Sequence, residues 1–176
     1  LGFLATDGSI GSNESSFSLH NNNLHVINAY KVFISSIFKI PSVYTKNYQT
    51  KYEIKTMYNV VSYGKNAVEV LKSLGIVKRK SYSLDLKFEF NRGFILGVID
   101  GDGDVHYKKT HVRITTASEI FVNKLKIHFD NLNIFCKVKK ENKCYRLLIE
   151  RKSEVKKLYD YLYTDWDTFC LGYKRK

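Results

Sequence analysis

Cysteine is scarce and unpatterned. Cys136, Cys144 and Cys170 are three in 176 residues, with no C-x-x-C spacing. An odd, scattered set excludes a disulfide framework and offers no structural zinc site. Reduced, partly buried thiols fit an intracellular protein. The five histidines add no zinc or HNH spacing. No apolar run approaches the roughly 20 residues that span a bilayer, and no signal peptide is visible. The expectation is an intracellular protein of the cytoplasm, nucleoid or an organelle matrix, with no membrane partner. The chain starts at Leu1, without Met, inside a predicted helix, so residues are expected to precede it.

Acidic residues are also in short supply: 17 against 29 Lys and Arg, a formal charge of +12. The excess is spread along the chain instead of held in a tail. The hydrophobic share of 44% supports a packed core of one sizeable domain or two small ones. A folded basic protein of this kind meets a polyanion, unless its charge serves solubility alone. The 13 tyrosines among the lysines suit backbone and base contacts of nucleic acid.

An internal repeat organises the chain. GFLATDG at 2–8 and GVIDGDG at 97–103 share Gly, four residues, then Asp-Gly, at an offset of 95. The same shift aligns FSLHNNN (17–23) with VRITTAS (112–118), and HVINAYKVFISSIF (25–38) with IFVNKLKIHFDNLN (120–133). GIVKRK (75–80) parallels LGYKRK (171–176) at an offset of 96. Four blocks in one order mark two copies of one unit. The first is assigned to 1–80 and the second to 92–176, with SYSLDLKFEFN (81–91) as connector.

Both halves predict the order αββαββα, an α+β fold with antiparallel sheets. A short apolar helix ends in Asp-Gly. Hairpins follow at 9–21 and 104–116, then amphipathic helices at 24–38 and 119–132 with Asn23 and Ser118 as N-caps. Second hairpins span 43–62 and 134–151, and third helices 64–74 and 153–163. Trp166 and Phe169 are expected to tuck the terminal segment back.

FILGVIDGDGDV (94–105) places Asp100, Asp102 and Asp104 at alternate positions where an apolar segment stops. A calcium loop of EF-hand type needs Gly at its sixth position and Glu at its twelfth; Val105 and His111 stand there. A helix C-terminus is partly negative and disfavours carboxylates, so Asp7 and Asp102 are costly there unless a cation is bound. Two related helices packed side by side would bring these two acids together. The glycines in both motifs permit close approach, although each costs a lone helix about 1 kcal/mol relative to Ala. Two carboxylates with backbone carbonyls make a hard-oxygen site suited to Mg²⁺, able to activate water for in-line attack on a phosphodiester. In a basic protein that chemistry points to a nuclease.

GFILGVIDGDGDV resembles the signature of the LAGLIDADG homing endonucleases. The second copy has Gly97, Ile99, Asp100, Asp102 and Gly103 of the motif; the first has Gly2, Asp7 and Gly8, with Ala5 in place of the inner Asp. The two copies and their flanks resemble the single-chain, two-repeat members over essentially the whole sequence.

The resemblance implies a monomer whose motif helices pack at a pseudo-twofold interface, with antiparallel sheets forming a saddle on double-stranded DNA. It implies two or three Mg²⁺ ions, with Mn²⁺ or Ca²⁺ able to substitute, held by Asp7 and Asp102 and by the carbonyls of Thr6 and Gly101. Each strand of a long asymmetric site would be cut to leave 3′ overhangs. Lys80 and Lys176 are the basic residues expected to polarise water or stabilise the transition state, with Lys78 and Lys174 next; phosphate contact or a solvated surface is their ordinary alternative. Asp100 is expected at the helix interface and Asp104 in a solvated turn. Because Ala5 replaces the counterpart of Asp100, that pair is not required for metal.

Polar and basic residues of the predicted strands are the candidate DNA contacts: Ser16, Ser18, His20, Lys46, Lys51, Lys55, Lys109, Arg113, Thr115, Lys137, Lys139 and Arg146. Strand alternation sends one set to the groove and the other to the helices. Arg113 and Arg146 could read guanine, and the lysines suit phosphate. His128 is expected in packing or at the surface. Two other functions fit the same scaffold: an RNA-splicing maturase with intron RNA as partner, and a non-cleaving DNA-binding regulator. Retention of both Asp7 and Asp102 favours the enzyme, since a close acid pair is costly without metal.

Overall fold

The structure, a computed structural model, describes residues 1–50, 53–78, 80–106 and 110–163. A short helix, α1 (Gly2–Thr6), leads to strands β1 (Gly8–Ile10) and β2 (Ser16–Asn21) and helix α2 (Leu24–Ile37). Strands β3 (Ser42–Gln49) and β4 (Ile54–Tyr63) and helix α3 (Lys65–Ser73) complete the first copy. After a 3-10 turn at Lys80–Tyr82 the order recurs as α4 (Arg92–Asp102), β5 (Gly103–His106), β6 (His111–Thr116), α5 (Glu119–Asn131), β7 (Lys137–Glu141), β8 (Cys144–Ile149) and α6 (Lys152–Leu162). The fold is α+β, with αββαββα written twice.

Each copy forms a four-stranded antiparallel sheet, ordered β1-β2-β4-β3 and β5-β6-β8-β7. Register repeats with the sequence: Gly8 pairs with Leu19, and Gly103 with Ile114, both 95 residues on. The offset then shortens. Leu19 pairs with Val60 and Ile114 with Leu147, an offset of 87, because the β3–β4 hairpin is longer than β7–β8. The third helices begin at Lys65 and Lys152, again 87 apart. The KRK segments, matched at 96 by sequence, therefore do not follow their helices at equal distance. Lys174 and Lys176 lie outside the described residues, as do Trp166 and Phe169.

The helices start where local chemistry dictates. Asn23 Oδ1 accepts from the His25 N–H at 2.9 Å to cap α2, and Ser118 Oγ accepts from the Phe121 N–H at 3.2 Å to cap α5. Asn91 Oδ1 does the same for α4 through the Phe94 N–H at 2.9 Å.

Two compact units result. Asp7–Lys78 is one; residues 1–6 with those after Lys78 are the other. In the first, Phe17, Leu19 and Val60 are buried, as are Val26, Ile27 and Ile34 of α2 and Val68 of α3. In the second, Val112, Ile114, Leu147 and Ile149 form the inner sheet face, with Phe121, Val122, Leu125 and Phe129 of α5 buried as well. The boundary read from the repeat, at residue 80, assigns α1 to the first copy; packing assigns it to α4. The connector also packs. Leu84 and Leu86 are buried, Ser118 Oγ donates to the Leu84 carbonyl at 2.9 Å, and Lys124 reaches Asp85 at 2.6 Å. Half-buried His128 sits among Phe90, Phe129 and Tyr161. Burial pushes the Cys136 thiol up to about 11, so it is a protonated core residue at neutral pH. No helix among the described residues is long and apolar enough to cross a membrane.

The contact between α1 and α4 is unusually close. A Cβ on Gly2 would lie 2.3 Å from the Phe94 carbonyl oxygen, and one on Gly97 would lie 3.0 Å from Gly2 Cα. One on Gly101 would lie 2.1 Å from Thr6 Oγ1. Gly2 and Gly97 are repeat equivalents, as are Thr6 and Gly101. Each thus meets its own counterpart, the pattern of a local twofold between the two helices. Since the obstacle to a side chain at Gly2 is main chain, Gly2→Ala should force the helices apart. Destabilisation of about 1–3 kcal/mol is expected, read as a lowered midpoint in thermal or urea unfolding.

Candidate active site and nucleic-acid interface

Helix α4 is buried from Phe94 to Asp100, so its apolar run is a core element. Asp100, only 3% exposed, is inside with it. Asp102, the last residue of α4, is exposed. It lines a cavity of about 170 Å³ whose other walls include Thr6, Ser81, Thr115, Thr116 and Cys144. Gly103 ends the helix, and Asp102 is delivered there with hydroxyl groups around it.

Asp7 directly follows α1 and belongs to the other compact unit. Asn21 Nδ2 donates to its Oδ2 at 3.0 Å, and the His20 N–H donates to its main-chain carbonyl at 3.3 Å. The equivalent of Asn21 in the second copy is Thr116, one of the walls around Asp102. Asn21, at the end of β2, thus bonds Asp7, and its repeat equivalent Thr116, at the end of β6, lines the cavity with Asp102.

Among the described residues no group of three His, Cys, Asp or Glu could hold a metal ion. The donors near Asp102 are predominantly hydroxyl oxygens, with one thiol. That set suits a hard divalent cation that keeps water and takes further oxygens from main chain and substrate phosphate; it does not suit zinc. The residues present fit Mg²⁺ or Ca²⁺ in that sense.

The candidate lysines fare differently. Lys80 opens the 3-10 turn whose next residue, Ser81, lines the Asp102 cavity. Lys78 Nζ donates to the Ser12 carbonyl at 3.3 Å in the β1–β2 loop, which engages it within its own unit.

Alternation sorts the strand residues cleanly. In the first sheet, Leu19 and Val60 point inward, so Ser16, Ser18, His20, Lys46 and Lys55 share the opposite face. In the second, Arg113, Thr115, Lys137, Lys139 and Arg146 share the face opposite Ile114 and Leu147. Lys51 and Lys109 lie outside the described residues. Ser18 is only 8% exposed, and its hydroxyl sits 2.9 Å from Ser9 Oγ and 3.1 Å from His20 Nε2. It is therefore placed to hold His20 more than to reach a ligand. Lys55 pairs with Glu53 at 3.0 Å. Arg113 pairs with Asp104, and Arg146 with Glu141, each at 2.5 Å. Asp104 is accordingly a strand residue in an ion pair, not part of a solvated turn. Sequence reasoning missed Asn21, Ser81 and Thr116 beside the acids. Asn21 and Thr116 are repeat equivalents and could have been found from that; Ser81 carried no signal.

Residues 89–163 match the family model described as LAGLIDADG-like domain. No curated protein matches the sequence. Among solved structures, the homing endonuclease I-WcaI bound to its DNA recognition sequence is 13% identical, with a TM-score of 0.72 over 99% of this chain and 83% of that one. Mesophilic variants of the homing endonuclease I-DmoI are 13% identical, with a TM-score of 0.67 over 98% and 91%. Full-length DUF199/WhiA from Thermatoga maritima is 10% identical, with a TM-score of 0.62 over 92% of this chain and 52% of that one. The chain thus spans about half of that protein. Residues 89–163 are thus similar to a LAGLIDADG-like domain, and the fold of the chain is that seen in the homing endonucleases I-WcaI and I-DmoI.

If the Asn21 amide orients Asp7 for a cation, Asn21→Ala should weaken divalent binding about tenfold. Calorimetric titration with Ca²⁺ checks this, with an unchanged melting temperature as the control for folding.

Proposed function

We propose that the chain is a homing endonuclease of the single-chain, two-repeat kind: a monomeric, intracellular, metal-dependent endodeoxyribonuclease acting on a long asymmetric duplex site. The observation that carries this reading is the contact of Thr6 with Gly101. Each of these residues immediately precedes a carboxylate, and such close packing at the ends of two helices has a chemical use if those acids share cations. The solved complexes of I-DmoI with DNA and Ca, and with DNA and Mn, support a divalent cation and a duplex partner in this fold.

In the proposed reaction Asp7 and Asp102 hold the cations, and the carbonyls of Thr6 and Gly101 complete the protein's donor set. Bound Mg²⁺ supplies Lewis-acid polarisation of the scissile phosphate and lowers the pKa of the attacking water. Lys80 and Lys176 orient that water and offset the charge developing on the phosphate. The outward face of each sheet supplies phosphate contacts through Lys46, Lys55, Lys137 and Lys139, while His20, Thr115, Arg113 and Arg146 offer donors and acceptors to base edges. Cleavage leaving 3′ overhangs is the product expected of this arrangement. A non-cleaving DNA-binding regulator is the second reading, since the fold also occurs in DUF199/WhiA and is not confined to homing endonucleases.

A randomised duplex library incubated with Mg²⁺ separates these readings, because only the nuclease yields cut products. Asp102→Asn should lower cleavage of a selected target about a thousandfold or more while leaving duplex affinity nearly unchanged. Wild-type cutting by that variant would remove the proposed role. Affinity should also fall steeply with salt, by about 10³–10⁵ between 50 and 200 mM if six to ten phosphates are neutralised. A flat response would show that the basic faces do not track a phosphate backbone.

A further inference from the structure

Asp100 is buried and Asp102 belongs to the candidate site, which leaves Asp104 without a role. It lies on β5 directly opposite Arg113 of β6. Its Oδ2 holds Arg113 Nη2 at 2.5 Å, on the sheet face away from the helices. Both side chains remain accessible, 47% exposed for Asp104 and 36% for Arg113. The same device recurs on the other hairpin, where Glu141 of β7 holds Arg146 of β8 at 2.5 Å. Arg146 pairs in register with Thr115, two residues from Arg113 on the same face.

A guanidinium carries five N–H donors in a planar fork, and a carboxylate oxygen on one nitrogen leaves the others available. Guanine presents O6 and N7 as paired acceptors at the spacing of that fork. An unbraced arginine is mobile and takes a phosphate as readily as a base. A braced one is already ordered, so less freedom is lost when it meets a base edge. The carboxylate also repels phosphate, which biases the pair toward base reading.

The first copy provides an internal contrast. The equivalents of Asp104 and Arg113 are Ser9 and Ser18, whose hydroxyls lie 2.9 Å apart. A device for gripping phosphate would serve both half-sites alike. A device for reading one base is free to differ between them.

We propose that Asp104 is a positioning residue that aims Arg113 at a guanine in the DNA half-site covered by the second sheet, with no such guanine required at the equivalent position of the other half-site. This rests on the duplex-binding part of the function proposed above and is independent of cleavage.

The test is a binding selection of the full chain against a randomised duplex library without divalent cation, read by sequencing. Wild type should select guanine at one position of a single half-site, by about 10- to 100-fold over other bases. Arg113→Lys, which keeps the charge and loses the fork, should abolish that preference. Asp104→Asn should also abolish it while binding to random duplex is retained or strengthened, and Asp104→Glu should restore it. Thermal melts of each variant separate a simple tie of edge strand β5 from positioning. If Asp104→Asn changes the melting temperature but leaves base preference intact at every position, the proposal is overturned and duplex recognition stands. If wild type binds no duplex, both this proposal and the nuclease reading fall.

Discussion

The approach of α1 to α4 through Gly2 and Gly97 is the constraint on which the candidate site depends. Helix α1 has five residues, too few to hold a helical conformation alone. It exists because its backbone lies against that of α4, and it can lie there because neither glycine carries a Cβ. Thr6 at the end of the contact is held by its own helix, donating to the Gly2 and Phe3 carbonyls at 3.2 and 3.1 Å, and meets Gly101. The residues that precede the two acids are thereby held in contact, with the Thr6 side chain lying where a Cβ on Gly101 would stand. Asp102 emerges exposed from a helix that is buried for most of its length.

The two copies diverge by rule. Positions facing the cores keep the offset and the chemistry: Leu19 and Ile114, Phe17 and Val112, and the caps Asn23 and Ser118. Positions on the outer sheet faces do not. Serine stands at 9 and 18 where aspartate and arginine stand at 104 and 113. A core site must fill a fixed volume, so changes there are felt in stability. An outer face answers only to what it touches, so duplicated faces can come to differ.

Much of the fold was legible in the sequence. The duplication, the αββαββα order, both caps and the alternation of strand residues between two faces follow from periodicity and short-range chemistry, and the structure has them. The unequal hairpins were not legible, because hairpin length moves register without disturbing alternation. Nor was the packing of the connector, whose alternating Leu84 and Leu86 look like a strand but serve as a cover, Leu84 tied to the α5 cap Ser118 and Leu86 to Lys124.

The candidate site divides the same way. Sequence alone singled out the candidate residues, since a carboxylate at the negative end of a helix is anomalous in any fold and glycine at fixed spacing announces close backbone approach. Only the tertiary structure decided that Asp100 is buried and Asp102 exposed, that Asn21 bonds Asp7, and that Asp104 reaches across strands to Arg113. Those outcomes depend on helix rotation and strand register, which are set by the packing of distant segments.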